Sequence, residues 1–167
     1  MTLLRIHLGD LSATQRLGSV IAPHLRPGDR LLLIGEIGSG KTTLARAVGT
    51  ALRAKPPLTS PTFIIVSEHQ GALPIWHADA YRLPLGSDPF AVGLIDERHA
   101  SGVMIIEWPE QVAWPLHGDG ASHLEASLTF GVEEGERVAT IRIGDADRAQ
   151  GLRVDLRAAG LEVNDAA

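Results

Sequence analysis

The run Gly35-Glu36-Ile37-Gly38-Ser39-Gly40-Lys41-Thr42 fits the pattern G-x-x-x-x-G-K-[ST]. That spacing suits the capture of a polyphosphate. Gly38 and Gly40 let the backbone turn with positive φ and come close to an anion, while Gly35 ends the segment before the loop. The amides from Gly38 through Ser39 and Gly40 to Thr43 then form an anion nest. Lys41 offers a compact ammonium to the β- and γ-phosphates, and Thr42 offers a hydroxyl to Mg²⁺. Among the 15 Lys and Arg of the chain only Lys41 and Lys55 are lysines. A residue type the chain otherwise avoids stands where a point charge is needed, and the planar fork of Arg is no substitute there. Guanine-selecting proteins use an Asn/Thr-Lys-x-Asp motif. Here Lys41 follows Gly40 and Lys55 follows Ala54, so the expected nucleotide is ATP (and ADP), not GTP.

A Mg²⁺–nucleotide site also needs acids near the loop. Glu107 directly follows the apolar run Val103-Met104-Ile105-Ile106. Hydrophobic strand then acid is the arrangement that holds Mg²⁺ directly or through water. Asp79, in His77-Ala78-Asp79-Ala80-Tyr81-Arg82, is the second candidate. It aligns a water, helps hold the metal, or simply caps an Asx turn; the residues alone leave these open. His77 by itself reads as a core histidine before a catalyst. Tyr81 and Arg82 read as packing and surface residues, with phosphate contact by the Arg as the sharper alternative. Ser60-Pro61-Thr62 falls where a switch segment belongs, in which Thr62 would sense the γ-phosphate or the metal, or it is simply a capped turn before a strand.

The elements that must position these groups follow from periodicity. A strand over Arg30–Ile34 enters the loop, and a helix from Lys41 to about Arg53 leaves it, with Leu44, Ala45, Val48 and Leu52 at helical spacing. Strand, loop and helix together aim amides and a helix N-terminus at an anion. Upstream, Leu4–Leu8 reads as a strand. Ser12 reads as the N-cap of a helix with Gln15 at the capping-box position, and Pro23 shortens its end. Downstream, Phe63–Val66 and Pro74–His77 read as strands and Asp88–His99 as a helix. Val103–Ile106 reads as a buried parallel strand. Glu125–Phe130 and Arg137–Ile143 alternate apolar and polar residues around Gly131–Gly135, a hairpin signal. The expected fold class is α/β: a P-loop NTPase-like single domain with a central, mostly parallel sheet flanked by helices and antiparallel strands near the C-terminus. Residues 1–144 make the ATPase domain, and 145–167 a C-terminal extension that is either a loose helix or disordered.

Composition narrows the function classes. The 167 residues are 44% hydrophobic with 18 Gly, 10 Pro and no Cys, so disulfides and thiolate metal sites are excluded. No segment approaches the ~18 continuous apolar residues of a membrane span, and the N-terminus has no cleavage site, so the cytoplasm is the expected location. The net charge is −5 and Lys and Arg do not cluster, which argues against stand-alone nucleic-acid binding.

Taken together, Gly28-Asp29, the loop at 35–43, Ser60-Pro61-Thr62-Phe63, His77-Ala78-Asp79-Ala80-Tyr81-Arg82-Leu83 and Ile106-Glu107-Trp108-Pro109-Glu110 resemble the TsaE (YjeE) family. That family is the P-loop ATPase component of bacterial tRNA threonylcarbamoyladenosine biosynthesis. The resemblance covers about residues 12 to 143, and the segment after Gly144 runs past the family's usual end. It implies Thr42 and Glu107 as Mg²⁺ ligands, Asp79 as necessary for hydrolysis, Thr62 in a switch-like segment and Trp108 beside the active centre. By the same analogy Thr14 and Arg137 contact adenine. It implies TsaB and TsaD as partners, with tRNA reached only through their complex. Two other readings share the loop. A small-molecule or nucleoside kinase would carry an Arg-rich lid, yet only Arg98 lies between Arg82 and Glu107. A nucleotide-gated binding module would hydrolyse ATP only incidentally.

Overall fold

In the computed structural model, which describes residues 1–60, 65–114 and 123–165, Leu31 and Leu33 of strand β2 (Arg30–Ile34) are fully buried at the centre of the sheet. The other strands are β1 (Thr2–Leu8), β3 (Val66–Gln70), β4 (Pro74–Asp79), β5 (Val103–Glu107), β6 (His123–Phe130), β7 (Arg137–Ile143) and β8 (Glu162–Asp165). They form one eight-stranded sheet in the order β3-β4-β5-β2-β6-β7-β1-β8. β2 runs parallel to both neighbours, β5 and β6, and β4 runs parallel to β5. β3 pairs antiparallel with β4, and β6, β7, β1 and β8 are successively antiparallel. Every residue of β5 is buried, as a strand flanked on both faces requires. The expected α/β class is found, with a parallel centre, but antiparallel pairing is not confined to the C-terminal strands: three strand pairings are parallel and four antiparallel, β3–β4 and those of β1 among them.

Helices α1 (Leu11–Ile21), α2 (Lys41–Ala51) and α3 (Ala146–Ala158) contribute Leu17, Leu44, Val48, Leu152 and Leu156 to the main core. α1 and α2 cross closely. A Cβ on Gly18 would lie 2.4 Å from the Cβ of Ala47, so only glycine fits there. A second cluster on the other face of the sheet gathers Trp76, Leu94, Met104 and Ile106.

Several local expectations are corrected. The N-cap of α1 is Asp10, not Ser12: the Asp10 carboxylate accepts from the Ala13 amide at 2.7 Å, while the Ser12 hydroxyl accepts from Arg16. Both residue types cap well, and an extended Asp10 starts the helix two residues earlier. Pro23 lies in a 3₁₀ turn, Ala22–His24, just past the end of α1. A strand is expected at Phe63–Val66; residues 61–64 lie outside the described residues, and the strand described there runs Val66–Gln70. Asp88–His99 is not a helix. Asp88 and Asp96 each accept from an amide two residues on, Gly93 has φ +77°, and only a 3₁₀ turn, Glu97–Ser101, forms. Side chains that satisfy nearby amides compete with the helical ladder.

Residues 145–165 form a helix and a further strand of the same sheet. Asp145 caps α3 by accepting from the Arg148 amide, and β8 pairs with β1 from Leu4↔Asp165 to His7↔Glu162. Arg148 makes a buried ion pair with Asp29, whose carboxylate also accepts from the Arg26 amide at 2.7 Å. The buried stripe of α3 is Arg148, Ala149, Leu152 and Leu156. An arginine in that stripe blurs the apolar pattern by which amphipathic helices are read.

Candidate active site

β2 ends at Ile34 and the chain turns through the loop into α2, whose N-cap is Gly40 at φ +104°. An L-residue there would be strained. Gly35 is fixed by close approach: a Cβ would lie 2.4 Å from the Leu128 carbonyl and 2.5 Å from Ser39 Oγ. Ser39 is fully buried and its amide closes the loop turn on the Glu36 carbonyl at 3.1 Å. Lys41 is 5% exposed and donates to the carbonyls of Gly35 at 2.6 Å and Glu36 at 2.9 Å. Its Nζ lies 4.0 Å from the centre of the Trp108 ring. Burial pushes the Lys41 ammonium below the ordinary lysine range, and Glu107, Glu110 and Asp79 act against that shift.

The acids come from adjacent parallel strands. Register sets Leu33 beside Glu107 and Glu107 beside Asp79, at the carboxyl ends of β2, β5 and β4. That end is where open α/β sheets bind ligands. Glu107 is 2% exposed. Its Oε2 accepts from the Thr42 hydroxyl at 2.7 Å and its Oε1 faces His77 Nε2 at 2.9 Å. Asp79 is half-buried, and its Oδ1 accepts from the Tyr81 amide at 2.9 Å, so it caps an Asx turn while also lining the cavity over the loop. That cavity, about 380 Å³, is lined by Gly38, Gly40, Lys41, Thr42, Thr43, Asp79, Tyr81, Glu107 and Trp108, together with Ile37. Trp108 sits at φ +59°, and its ring meets Tyr81 at 5.0 Å. A bulky residue held in the left-handed region beside a cleft is strain of the kind that collects at functional sites.

The donor set suits magnesium. Mg²⁺ prefers hard oxygens in an octahedron at about 2.0–2.1 Å, which separates neighbouring ligands by roughly 2.9 Å. Thr42 Oγ1 and Glu107 Oε2 are 2.7 Å apart. The loop amides and Lys41 would offer the complementary site for an anion.

Other candidate residues are not among those lining the cavity. Arg137 donates to the Gly38 carbonyl at 3.0 Å and lies 4.6 Å over the Phe130 ring, so it braces the crest of the loop. Thr14 is buried in α1 and does not line the cavity. α1 turns Leu11, Gln15 and Ser19 toward a neighbouring groove of about 500 Å³, shared with Thr43, Arg46, Ala47 and Thr50 of α2. Arg82 is exposed and away from the cavity lining. Thr62 lies outside the described residues. His77 is fully buried, as expected of a core histidine, and its Nε2 also meets Glu107. Its period-two spacing from Asp79 on one strand puts both on one sheet face, which was the available signal.

Residues 8–138 match the family model described as threonylcarbamoyl adenosine biosynthesis protein TsaE. The chain belongs to the TsaE family. A relative from Nostoc, named tRNA threonylcarbamoyladenosine biosynthesis protein TsaE, is 33% identical over 82% of this chain and 84% of its own length. A protein of the same name from Streptomyces coelicolor is 40% identical over 58% of this chain and 67% of its own. The crystal structure of YdiB from Bacillus subtilis superposes with a TM-score of 0.67 at 25% identity, covering 95% of this chain and 97% of that one. The family resemblance carried by the motifs and the α/β class therefore hold. Among the described residues no helix is long and apolar enough to cross a membrane.

Proposed function

We propose that this protein is a Mg²⁺-dependent ATPase that acts with TsaB and TsaD in threonylcarbamoyl transfer to the adenosine beside the tRNA anticodon. The observation that carries the reading is the meeting of Thr42 and Glu107 at 2.7 Å, at the mouth of a glycine loop that buries Lys41. ATP binds along the loop with its phosphates against the amides, and Lys41 turns its ammonium from the loop carbonyls to the β- and γ-phosphate oxygens. Thr42 and Glu107 would hold the metal. Bound Mg²⁺ supplies neutralisation of phosphate charge. Asp79, the more open of the two acids, orients the attacking water. Trp108 and Tyr81 wall the site on one side.

The net charge of −5 supports a division of labour in which the TsaB–TsaD pair holds the tRNA and this chain supplies nucleotide turnover in the cytoplasm. The kinase reading is weakened by Arg98, which pairs with Asp96 at 3.0 Å and does not line the cavity. Reconstitution tests the proposal. ATP hydrolysis should be slow for the protein alone and rise with TsaB–TsaD, and tRNA modification should then continue over many turnovers. Equal modification without this chain or without ATP hydrolysis rejects it, and phosphate delivered to a metabolite instead of water favours a kinase.

A further inference from the structure

We propose that His77 is a positioning residue that fixes the Glu107 carboxylate for its metal, an inference that rests on the Mg²⁺–ATP reading above. His77 is fully buried on β4, two residues from Asp79 and on the same face. Its Nε2 lies 2.9 Å from Glu107 Oε1. Nδ1 is buried without a hydrogen-bond partner among the described residues. A bare ring nitrogen costs less there than an unmet N–H, so the proton belongs on Nε2 and is donated to the carboxylate.

The consequence is a division between the two carboxylate oxygens. Oε1 is occupied by the imidazole, and Oε2 alone is presented to Thr42. A glutamate side chain free to rotate would sample several orientations, including one that takes both oxygens to a cation. The imidazole removes that freedom and leaves a single oxygen at ligand distance from the Thr42 hydroxyl. Partners of this kind orient metal ligands and are felt in metal affinity. A histidine that merely filled the core would affect folding and leave the cation requirement unchanged.

The test is calorimetric binding of a non-hydrolysable ATP analogue at graded Mg²⁺. His77→Leu should raise the half-saturating Mg²⁺ concentration roughly 10–100-fold. It should leave Mg²⁺-free analogue binding at the parental affinity. In a Glu107→Gln background the same change should add nothing, since the residue acts through that carboxylate. A folded His77→Leu protein with the parental Mg²⁺ requirement overturns the inference. Should His77→Leu fail to fold, His77→Gln and His77→Asn decide. Gln carries an amide to the Nε2 position and is expected to retain the parental requirement, whereas Asn carries it to Nδ1 and is expected to lose it. Equal behaviour of these two overturns the inference. A parental protein whose analogue binding ignores Mg²⁺ overturns the nucleotide reading itself.

Discussion

Lys41 is enclosed on three sides, by the carbonyls of Gly35 and Glu36 and by the face of Trp108. A hydrogen bond to a charged group contributes about 1.5–3 kcal/mol, so Lys41→Ala should weaken ATP binding by roughly ten- to a hundredfold in calorimetry. Lys41→Arg should fail to restore it, because a planar guanidinium does not fit between loop and indole. Asp79 is a different case. It touches neither Thr42 nor Lys41 by hydrogen bond, and its amide-bound Oδ1 holds the turn to Tyr81. Asp79→Asn keeps an acceptor for that amide and removes the charge. Nucleotide affinity should change by less than about threefold, while partner-stimulated hydrolysis falls by ~10²–10⁴. A hydrolysis rate equal to the parent's would move the water-orienting role away from this residue.

At the scale of elements, the crossing of α1 over α2 carries the loop's supporting helix. Gly18→Val should drive the helices apart, with a loss of about 1–3 kcal/mol by urea unfolding, since a Cβ already meets Ala47 and the Val48 amide. The 3₁₀ turn Glu97–Ser101 gives a pH signature. Burial is the main cause pushing the His99 imidazole below its ordinary value of 6.5, with Asp96 opposing and Arg98 and Arg30 adding to the shift. The folded state therefore binds fewer protons than the unfolded one between the lowered value and 6.5. Stability should be complete above 6.5 and decline as pH falls through that window. Thermal unfolding across pH 7 to 5 should show the decline, and His99→Phe, which keeps a ring against Trp76, should reduce it.

The whole molecule depends on its last residues. α3 reaches back to the turn before β2 through the buried Arg148–Asp29 pair, and β8 covers the edge of β1. Removing one partner of a buried pair leaves a charge without compensation, so Arg148→Met should cost about 3–5 kcal/mol in denaturant unfolding. Replacing Asp29 by Asn in the same protein should recover part of that loss. Truncation before Asp145 should be worse than either, because it also exposes the core facing Leu152 and Leu156.

The sequence by itself determined the local structure of the loop. Glycines, a scarce lysine and a threonine at fixed spacing, between an apolar run and an amphipathic run, leave few other local structures open. It also picked out Glu107 and Asp79, because hydrophobic strands that end in an acid are visible in one dimension. What it could not carry was pairing between distant segments. Parallel register brings His77 onto Glu107, the phase of α1 turns Gln15 instead of Thr14 to the groove, and Arg137 comes to rest on the Gly38 carbonyl. The same limit left the C-terminal helix undecided against disorder and hid the strand after it. Their stability comes from a salt bridge and a sheet partner more than a hundred positions away in the chain, and local propensity has no access to either.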